Sequence, residues 1–359
     1  MGALQGGTAW QSEAARYLSR RRAVDGAGVA AAAQRAALYA DDTAWSGPHP
    51  LNQLAGRDAV EAVFLRPLHA AAPQLERRED ITLAGAWSGG AWVASTGHDI
   101  GLFHDDWLGL PTKGRLLSLR YGEFVRLLES QVHETYLLID LLDLLRQLGR
   151  WPLAPALGST ERIPGPAMHD GVRGVAADPE ESRASLALVE AMIGGLMRYD
   201  GKTLGSMQQD RYWDVERMMW FGPAGIGTAR GLSHYQTVHQ RPFLTAFPDR
   251  VGGNHKCRIA EGPYVASTGW PSVRATHMGG GFLGLPPTGR AIGMRVMDFW
   301  RCADGLIREN WVFIGLGVRG GWVRSDPRPG VIPARATRGN LPAVTLRSGC
   351  PTPGVRSPP

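Results

Sequence analysis

The sequence Val-Ala-Ser-Thr-Gly occurs twice in this chain of 359 residues, at positions 93–97 and again at 265–269. A second motif, Leu-Gly-Leu-Pro followed by Gly-Arg, begins at Leu108 and again at Leu283, an offset of 175 residues. At this offset seven more identities appear: Trp45, Gly47, Pro48, Gly56, Arg66, Pro67 and Pro73 fall on Trp220, Gly222, Pro223, Gly231, Arg241, Pro242 and Pro248. The chain therefore contains an internal duplication.

The repeat is much longer than the units of solenoids and propellers, so each copy is predicted to fold as a domain. A helix is expected over Val29–Asp41, where the first domain begins. A second helix is expected after the Asp-Pro-Glu-Glu sequence at 178–181, which supplies an N-cap, a first-turn proline and two acids. The predicted organisation is a flexible N-terminus at 1–28, a first domain at 29–150, a Pro/Gly-rich linker at 151–178, a second domain at 179–318 and a disordered basic tail at 319–359.

The composition is typical of a soluble globular protein, with 43% hydrophobic and 20% charged residues. No apolar run reaches the length of a membrane span, and the three arginines at 20–22 precede a segment too polar for an export signal. Three scattered cysteines favour a reducing compartment. We therefore expect a cytoplasmic protein that does not bind membranes.

The formal net charge of +6 is concentrated at one end of the chain. Residues 319–359 contain seven arginines and one acidic residue, so residues 1–318 are neutral overall. A neutral folded region argues against a specific nucleic-acid-binding face.

Candidate catalytic residues lie on a predicted hairpin near the end of the second copy. Asp304-Gly305 is a strong turn signal between two strand-like segments. Counting outward from the turn in a regular ladder predicts that Asp298, Trp300, Glu309 and Trp311 share one face. A carboxylate among tryptophans would be desolvated, which raises its pKa toward the range useful for proton transfer. Asp298 is therefore the predicted acid/base.

His277 is the second predicted catalytic residue, because it precedes three glycines that let a ligand approach the backbone. Phe282 and Trp270 complete the predicted substrate-binding set with Trp300, Glu309 and Trp311. The same counting in the first copy, from a turn at Glu129-Ser130, groups Glu123, Val125, Glu134 and Tyr136. Glu123, Glu134, Tyr136 and His104 are thus a possible first-domain site.

Several other chemistries have no motif in the sequence. There is no phosphate-binding Gly-Lys-Ser/Thr loop, no nucleophile elbow and no His/Cys cluster at metal-ligand spacing. Gly279-Gly280-Gly281 precedes no helical pattern, so a dinucleotide site is not predicted. We expect no cofactor and no metal.

The second copy resembles the SnoaL-like polyketide cyclase family. The resemblance rests on His277, on the string Phe-Leu-Gly-Leu-Pro-Pro-Thr-Gly-Arg at 282–290, on Asp-Phe-Trp-Arg at 298–301 and on the segment from Asp304 to Trp311. The first copy resembles a diverged member. The resemblance implies an α+β fold of the nuclear-transport-factor-two-like class: two tandem cone-shaped domains, each a curved antiparallel sheet with helices enclosing a pocket.

The resemblance further implies a cofactor-independent aldol ring closure on a small apolar carbonyl substrate. Asp298 would move the proton and His277 would stabilise the enolate. Other members of the fold class are dehydratases, isomerases and hydrolases, and these remain open. The sequence is also compatible with a noncatalytic small-molecule binding protein and with a scaffold that acts through the basic tail. Because relatives pair through their sheets, the tandem is expected to form an intrachain pseudo-dimer.

Overall fold

A computed structural model describes residues 9–25, 31–173 and 177–315. It confirms the α+β fold class, because two β-sheets dominate and a few helices pack on each. The predicted tail at 319–359 lies outside the described residues. The first sheet has the strand order β2-β1-β6-β5-β4-β3. Its strands are β1 (Tyr39–Ser46), β2 (Gln53–Ala55), β3 (Glu76–Trp87), β4 (Gly90–Leu102), β5 (Leu116–Leu128) and β6 (Gln131–Ile139).

The second sheet has the order β10-β11-β12-β13-β7-β8, with β9 also paired to β11. Its strands are β7 (Met219–Phe221), β8 (Thr228–Arg230), β9 (Val251–Gly252), β10 (His255–Glu261), β11 (Tyr264–Thr276), β12 (Ala291–Ala303) and β13 (Leu306–Ile314). Read from β8 to β10, this is the strand order of the first sheet. Each sheet contains one parallel pair, β1 with β6 and β7 with β13, so the sheets are mixed rather than purely antiparallel.

The helices repeat in the same way. Their bounds are α1 (Ala9–Asp25), α2 (Ala32–Ala36), α3 (Arg57–Val60), α4 (Arg66–Ala71), α5 (Leu141–Gln147), α6 (Pro179–Leu196), α7 (Gly231–Tyr235) and α8 (Arg241–Ala246). A π-helical turn joins α3 to α4 at Glu61–Leu65, and another joins α7 to α8 at Gln236–Gln240. As the sequence predicts, the Asp178 side chain caps α6 by accepting a hydrogen bond from the Glu180 N–H.

The N-terminal prediction is wrong in part, because α1 occupies residues expected to be flexible. This helix buries Tyr17, Arg21 and Val24 against the first repeat. The packing of α1 was not predicted because its sequence is rich in arginine. A buried guanidinium requires anionic partners, and these are supplied by the folded sheet. The helix expected over Val29–Asp41 is short, and strand β1 has already begun at Tyr39.

A β-bulge changes the predicted register of the catalytic hairpin. Asp304 and Gly305 do form the turn, with φ angles of 53° and 71°. Cys302 pairs with Ile307 but Arg301 pairs with Glu309, so Arg308 is an extra residue in β13. Beyond the bulge every pairing shifts by one residue, and successive side chains in a strand point to opposite faces.

The shift separates the residues that were predicted to share a face. Asp298 now pairs with Val312 and Trp300 with Asn310. Glu309 and Trp311 are on the other face, so the predicted cluster of four is wrong. The first repeat has the same bulge, with His133 as the extra residue, and Glu123 is likewise on the face opposite Glu134 and Tyr136.

The two faces of each sheet bury different cores. One face of each sheet packs against the helices of its own repeat. The other faces pack against each other in a shared core, in which the rings of Phe124 and Phe299 lie 5.5 Å apart. The shared core also contains Trp92, Tyr136, Trp270, Trp311 and Phe313. Among the described residues, no helix is long and apolar enough to cross a bilayer.

Candidate active site

Asp298 lies on the helix-facing side of β12, in the second repeat. Asn310, on the neighbouring strand β13, donates a hydrogen bond from Nδ2 to Asp298 Oδ1 at 3.3 Å. Burial raises the pKa of Asp298 to about 7, against the smaller opposing effects of the Asn310 hydrogen bond and the positive charge of Arg258. A carboxyl with this pKa can both accept and return a proton near neutral pH.

Asp298 borders a partly accessible space between the sheet and the helices of the second repeat, the Asp298 hollow. Trp300, Asn310 and Tyr235 are buried around it, whereas Asp298 itself keeps part of its surface accessible. Helix α6 packs on the same side of the sheet, against β10 and β11, and contributes Val189 and Met192 to the helix-side core. A desolvated carboxyl that is still accessible is the arrangement that a small-molecule acid/base site requires.

His239, in the π-helical turn between α7 and α8, is a site residue that the sequence reasoning missed. Its ring stacks on Trp220 at 4.6 Å and lies 5.6 Å from the ring of Tyr235. Trp220 pairs in the sheet with Asn310, the residue that donates a hydrogen bond to Asp298. His239 therefore lies against the immediate neighbour of Asn310. Burial lowers the pKa of His239 to about 3, so the ring is neutral at physiological pH. The alignment of the two repeats could have pointed to His239, since the first repeat has Phe64 in contact with Trp45 at this place.

His277 is not brought to Asp298, so the predicted pairing of these two residues is wrong. His277 follows Thr276, which pairs with Ala291, whereas Asp298 pairs with Ser267. Ala291 and Asp298 are separated by roughly 20 Å along the extended strand β12. The His277 ring is fully buried 5.3 Å from that of Phe247, and burial lowers its pKa. Its Nδ1 lies 3.3 Å from Thr288 Oγ1, which anchors the turn after β11.

The predicted substrate-binding residues divide between the two faces. Trp300 is on the face of Asp298, and Phe282 packs in the same helix-side core, 5.2 Å from Phe247. Trp270 and Trp311 lie instead in the core shared by the sheets. The indole of Trp311 donates to the carbonyl of Pro164 at 2.8 Å. These two tryptophans therefore belong to the interface and not to the hollow.

Glu309 lines a different cavity of about 500 Å³, between the linker and strands β7 and β8. Its Oε1 accepts a hydrogen bond from the N–H of Ala167 at 3.2 Å, and Arg301 lies 3.6 Å from its Oε2. Burial raises the pKa of Glu309. The bulge at Arg308 places Glu309 there, away from Asp298.

The first repeat surrounds its corresponding carboxylate, Glu123, with arginines. Arg77 Nη1 lies 2.8 Å from Glu123 Oε2, and the same guanidinium forms a bidentate pair with Asp99. Arg21 reaches in from α1 to pair with Glu79 and lies 3.8 Å from Glu123. Glu123 is thus held in a buried ion-pair network, which is suited to stability rather than to proton transfer.

The other residues of the possible first-domain site are dispersed. Tyr136 donates a hydrogen bond to Glu134 on the interface side of β6, where burial and that bond raise the pKa of the tyrosine. His104 is exposed in the turn after β4. The predicted grouping of Glu123, Glu134, Tyr136 and His104 is therefore wrong. In the described part of the chain, no group of three or more potential metal ligands occurs.

The second repeat is similar in sequence to a known protein family. Residues 216–316 match the family model of SnoaL-like polyketide cyclases. IdmH from Streptomyces antibioticus, a proposed polyketide cyclase, is 26% identical, with 35% of this chain and 90% of IdmH covered and a TM-score of 0.27. AclR from Streptomyces galilaeus, a proposed hydroxylase, is 24% identical, with 37% of this chain and 90% of AclR covered and a TM-score of 0.29. A proposed SnoaL-like polyketide cyclase from Jannaschia sp. CCS1 is 18% identical, with 43% and 100% covered and a TM-score of 0.34.

Among proteins of curated function, none matches the sequence of this chain. The matched segment contains strands β7 to β13, including Asp298, Asn310, Tyr235 and His239. Residues 216–316 of this chain are therefore similar to the SnoaL-like polyketide cyclases, over less than half of the chain.

Proposed function

We propose that the second repeat is a cofactor-independent enzyme that transfers a proton at a carbon next to a carbonyl, in an aldol-type ring closure of a small apolar substrate. The observation that carries the proposal is a desolvated, accessible carboxyl with a pKa of about 7, Asp298. The match of residues 216–316 to the model of SnoaL-like polyketide cyclases supports cyclase-type chemistry at this position.

In the proposed reaction, ionised Asp298 takes a proton from the activated carbon, and the resulting enolate attacks a second carbonyl of the same molecule. The C–C bond forms as that carbonyl becomes an alkoxide, and Asp298 returns the proton to the alkoxide oxygen. Holding the two carbons together in the hollow supplies the orientation on which such a reaction depends. The first repeat acts as a structural partner, because its Glu123 is neutralised by arginine.

The test is deuterium exchange into the methylene of a β-keto ester in D₂O, followed by NMR, because proton abstraction can be measured without the natural substrate. Asp298→Asn should reduce the enzyme-dependent exchange rate by at least about 100-fold. Affinity for the ester should stay within a few fold, because the amide keeps the shape of the carboxyl. The matched control is Asp304→Asn, the same change at the exposed hairpin turn, which should leave exchange unchanged.

Undiminished exchange in Asp298→Asn would overturn the proposal. Ester binding without any enzyme-dependent exchange in the wild-type protein would favour a noncatalytic binding module instead.

A further inference from the structure

We propose that His239 is a second catalytic residue of the Asp298 hollow, where its neutral ring donates a hydrogen bond from Nε2 to the oxygen that becomes negatively charged when the substrate loses its proton. This inference rests on the proposed function and adds to it the group that binds the developing anion.

The position of His239 supports this role. Its ring lies against two residues of the Asp298 environment, stacked on Trp220 and 5.6 Å from Tyr235. The negative charge of Asp298 also contributes to raising the pKa of Tyr235, so these two side chains are close enough to interact. Asn310 completes the connection, because it pairs with Trp220 in the sheet and bonds to Asp298.

The two ring nitrogens of His239 differ in their surroundings. Nδ1 is buried and has no hydrogen-bond partner among the described residues. The ring as a whole keeps part of its surface accessible, although it is enclosed enough that burial alone depresses its pKa. A buried N–H without a partner is costly, so the proton of the neutral ring is favoured on Nε2. That N–H is the donor available to a ligand.

The first repeat provides an internal comparison. At the equivalent place Phe64 contacts Trp45 with the ring centroids 5.0 Å apart and the planes tilted by 35°, whereas His239 stacks on Trp220 at 18°. A phenyl ring therefore fills the corresponding place against the tryptophan in the first repeat, so packing there does not require a histidine. The polar ring occurs in the repeat whose carboxyl is free to move a proton, and the phenyl ring occurs in the repeat whose carboxyl is paired with arginine.

The chemistry requires a donor of this kind. Proton abstraction by Asp298 transfers negative charge to the substrate oxygen, and a preorganised donor in a desolvated site stabilises that charge. A histidine whose pKa is about 3 remains a neutral donor throughout the working pH range, so it does not compete with Asp298 for the proton.

The experiment combines exchange kinetics with the binding of an oxyanion mimic. His239→Phe copies the first repeat and removes the donor, His239→Gln retains an N–H, and His234→Phe is the control at an exposed histidine on the same helical segment. In the exchange assay, His239→Phe should lower the rate about 100- to 1,000-fold while the pH midpoint set by Asp298 stays near 7. His239→Gln should recover part of the rate, and His234→Phe should match the wild type.

The binding readout uses 4-nitrophenol, whose phenolate absorbs visible light, in an Asp298→Asn background. The protein with His239 should favour the bound phenolate and lower the apparent pKa of the phenol, and adding His239→Phe should weaken phenolate binding at least tenfold. Equal phenolate binding with Phe at 239 would overturn the inference. Because this assay contains no Asp298 carboxylate, it remains decisive even if the exchange test overturns the proposed function.

Discussion

At the scale of single residues, two equivalent carboxyls have opposite surroundings. Asp298 and Glu123 occupy corresponding positions on β12 and β5, opposite Ser267 and Ser95. Arg77 Nη1 lies 2.8 Å from Glu123, whereas Asp298 has the Asn310 amide as its hydrogen-bond donor. Burial raises the pKa of Asp298, and the Asn310 amide and the charge of Arg258 offset only part of that rise.

This difference predicts opposite effects of two amide substitutions on stability. The folded-state pKa of Asp298, about 7, exceeds the ordinary value of 3.8, so the folded protein retains that proton more tightly. The resulting stabilisation is complete below about pH 4 and is lost as the pH rises through 7. Asp298→Asn should therefore gain stability over the wild type between pH 5 and pH 8, by up to a few kcal/mol.

Glu123→Gln should instead destabilise the protein by about 3–5 kcal/mol at pH 7, because it leaves buried arginines without their partner. Urea unfolding at pH 5 and pH 8 measures both effects, with Asp304→Asn as the exposed control. A pH-independent difference between Asp298→Asn and the wild type would contradict the raised pKa.

At this scale the sequence predicted a desolvated setting for Asp298 but did not point to His239. The desolvation of Asp298 was predictable from Trp300, two residues along the same strand, but not from Trp311, which lies on the other face. His239 was not predictable, since it lies in a π-helical turn whose extra residue displaces the helical periodicity by which side chains are assigned to faces. The comparison with Phe64 could have revealed it.

At the scale of elements, the bulge at Arg308 decides which side chains reach the hollow. The turn at Asp304-Gly305 was predictable from its dipeptide, since both residues readily adopt positive φ. The extra residue, Arg308, was not predictable, because nothing in the composition of β13 distinguishes a bulged strand from a regular one. One residue therefore reversed the predicted faces of Glu309 and Trp311, although the hairpin itself was correct.

Deleting Arg308 tests the role of the bulge. The shortened strand must either rebuild the turn or pair without the bulge, which would turn Trp311 toward the helices and Val312 toward the shared core. We expect the deletion to abolish cooperative folding, measured by near-ultraviolet circular dichroism and thermal unfolding. Arg308→Ala keeps the residue count and should fold, with a smaller loss from the broken ion pairs to Asp214 and Asp304. A deletion variant as stable as Arg308→Ala would contradict the assignment of the bulge.

At the scale of the whole molecule, the two repeats share a core that neither could complete alone. Phe299 is fully buried there, 5.5 Å from Phe124 of the other repeat. The duplication itself was predictable from the paired motifs, because an ordered series of identities requires two similar folds. The sequence did not predict which side chains of each sheet enter the shared core, since the two bulges decide that.

Phe299→Ala should lower the free energy of unfolding by about 3–5 kcal/mol. Because residues of both sheets contribute to this core, we expect a single transition in calorimetry that includes both repeats. The control is Leu128→Ala, at an exposed leucine of β5, which should have little effect. Two separate transitions, with only one shifted by the substitution, would contradict a common folding unit.

The shared core has a consequence for how such a protein can change. In an assembly of two identical chains, every mutation is present on both sides of the symmetry axis. Here a peptide linker joins the halves, so a substitution alters one half and leaves the other intact. An arginine that neutralises a carboxyl, as Arg77 does for Glu123, can thus be accommodated in one half while the corresponding Asp298 of the other half stays unchanged.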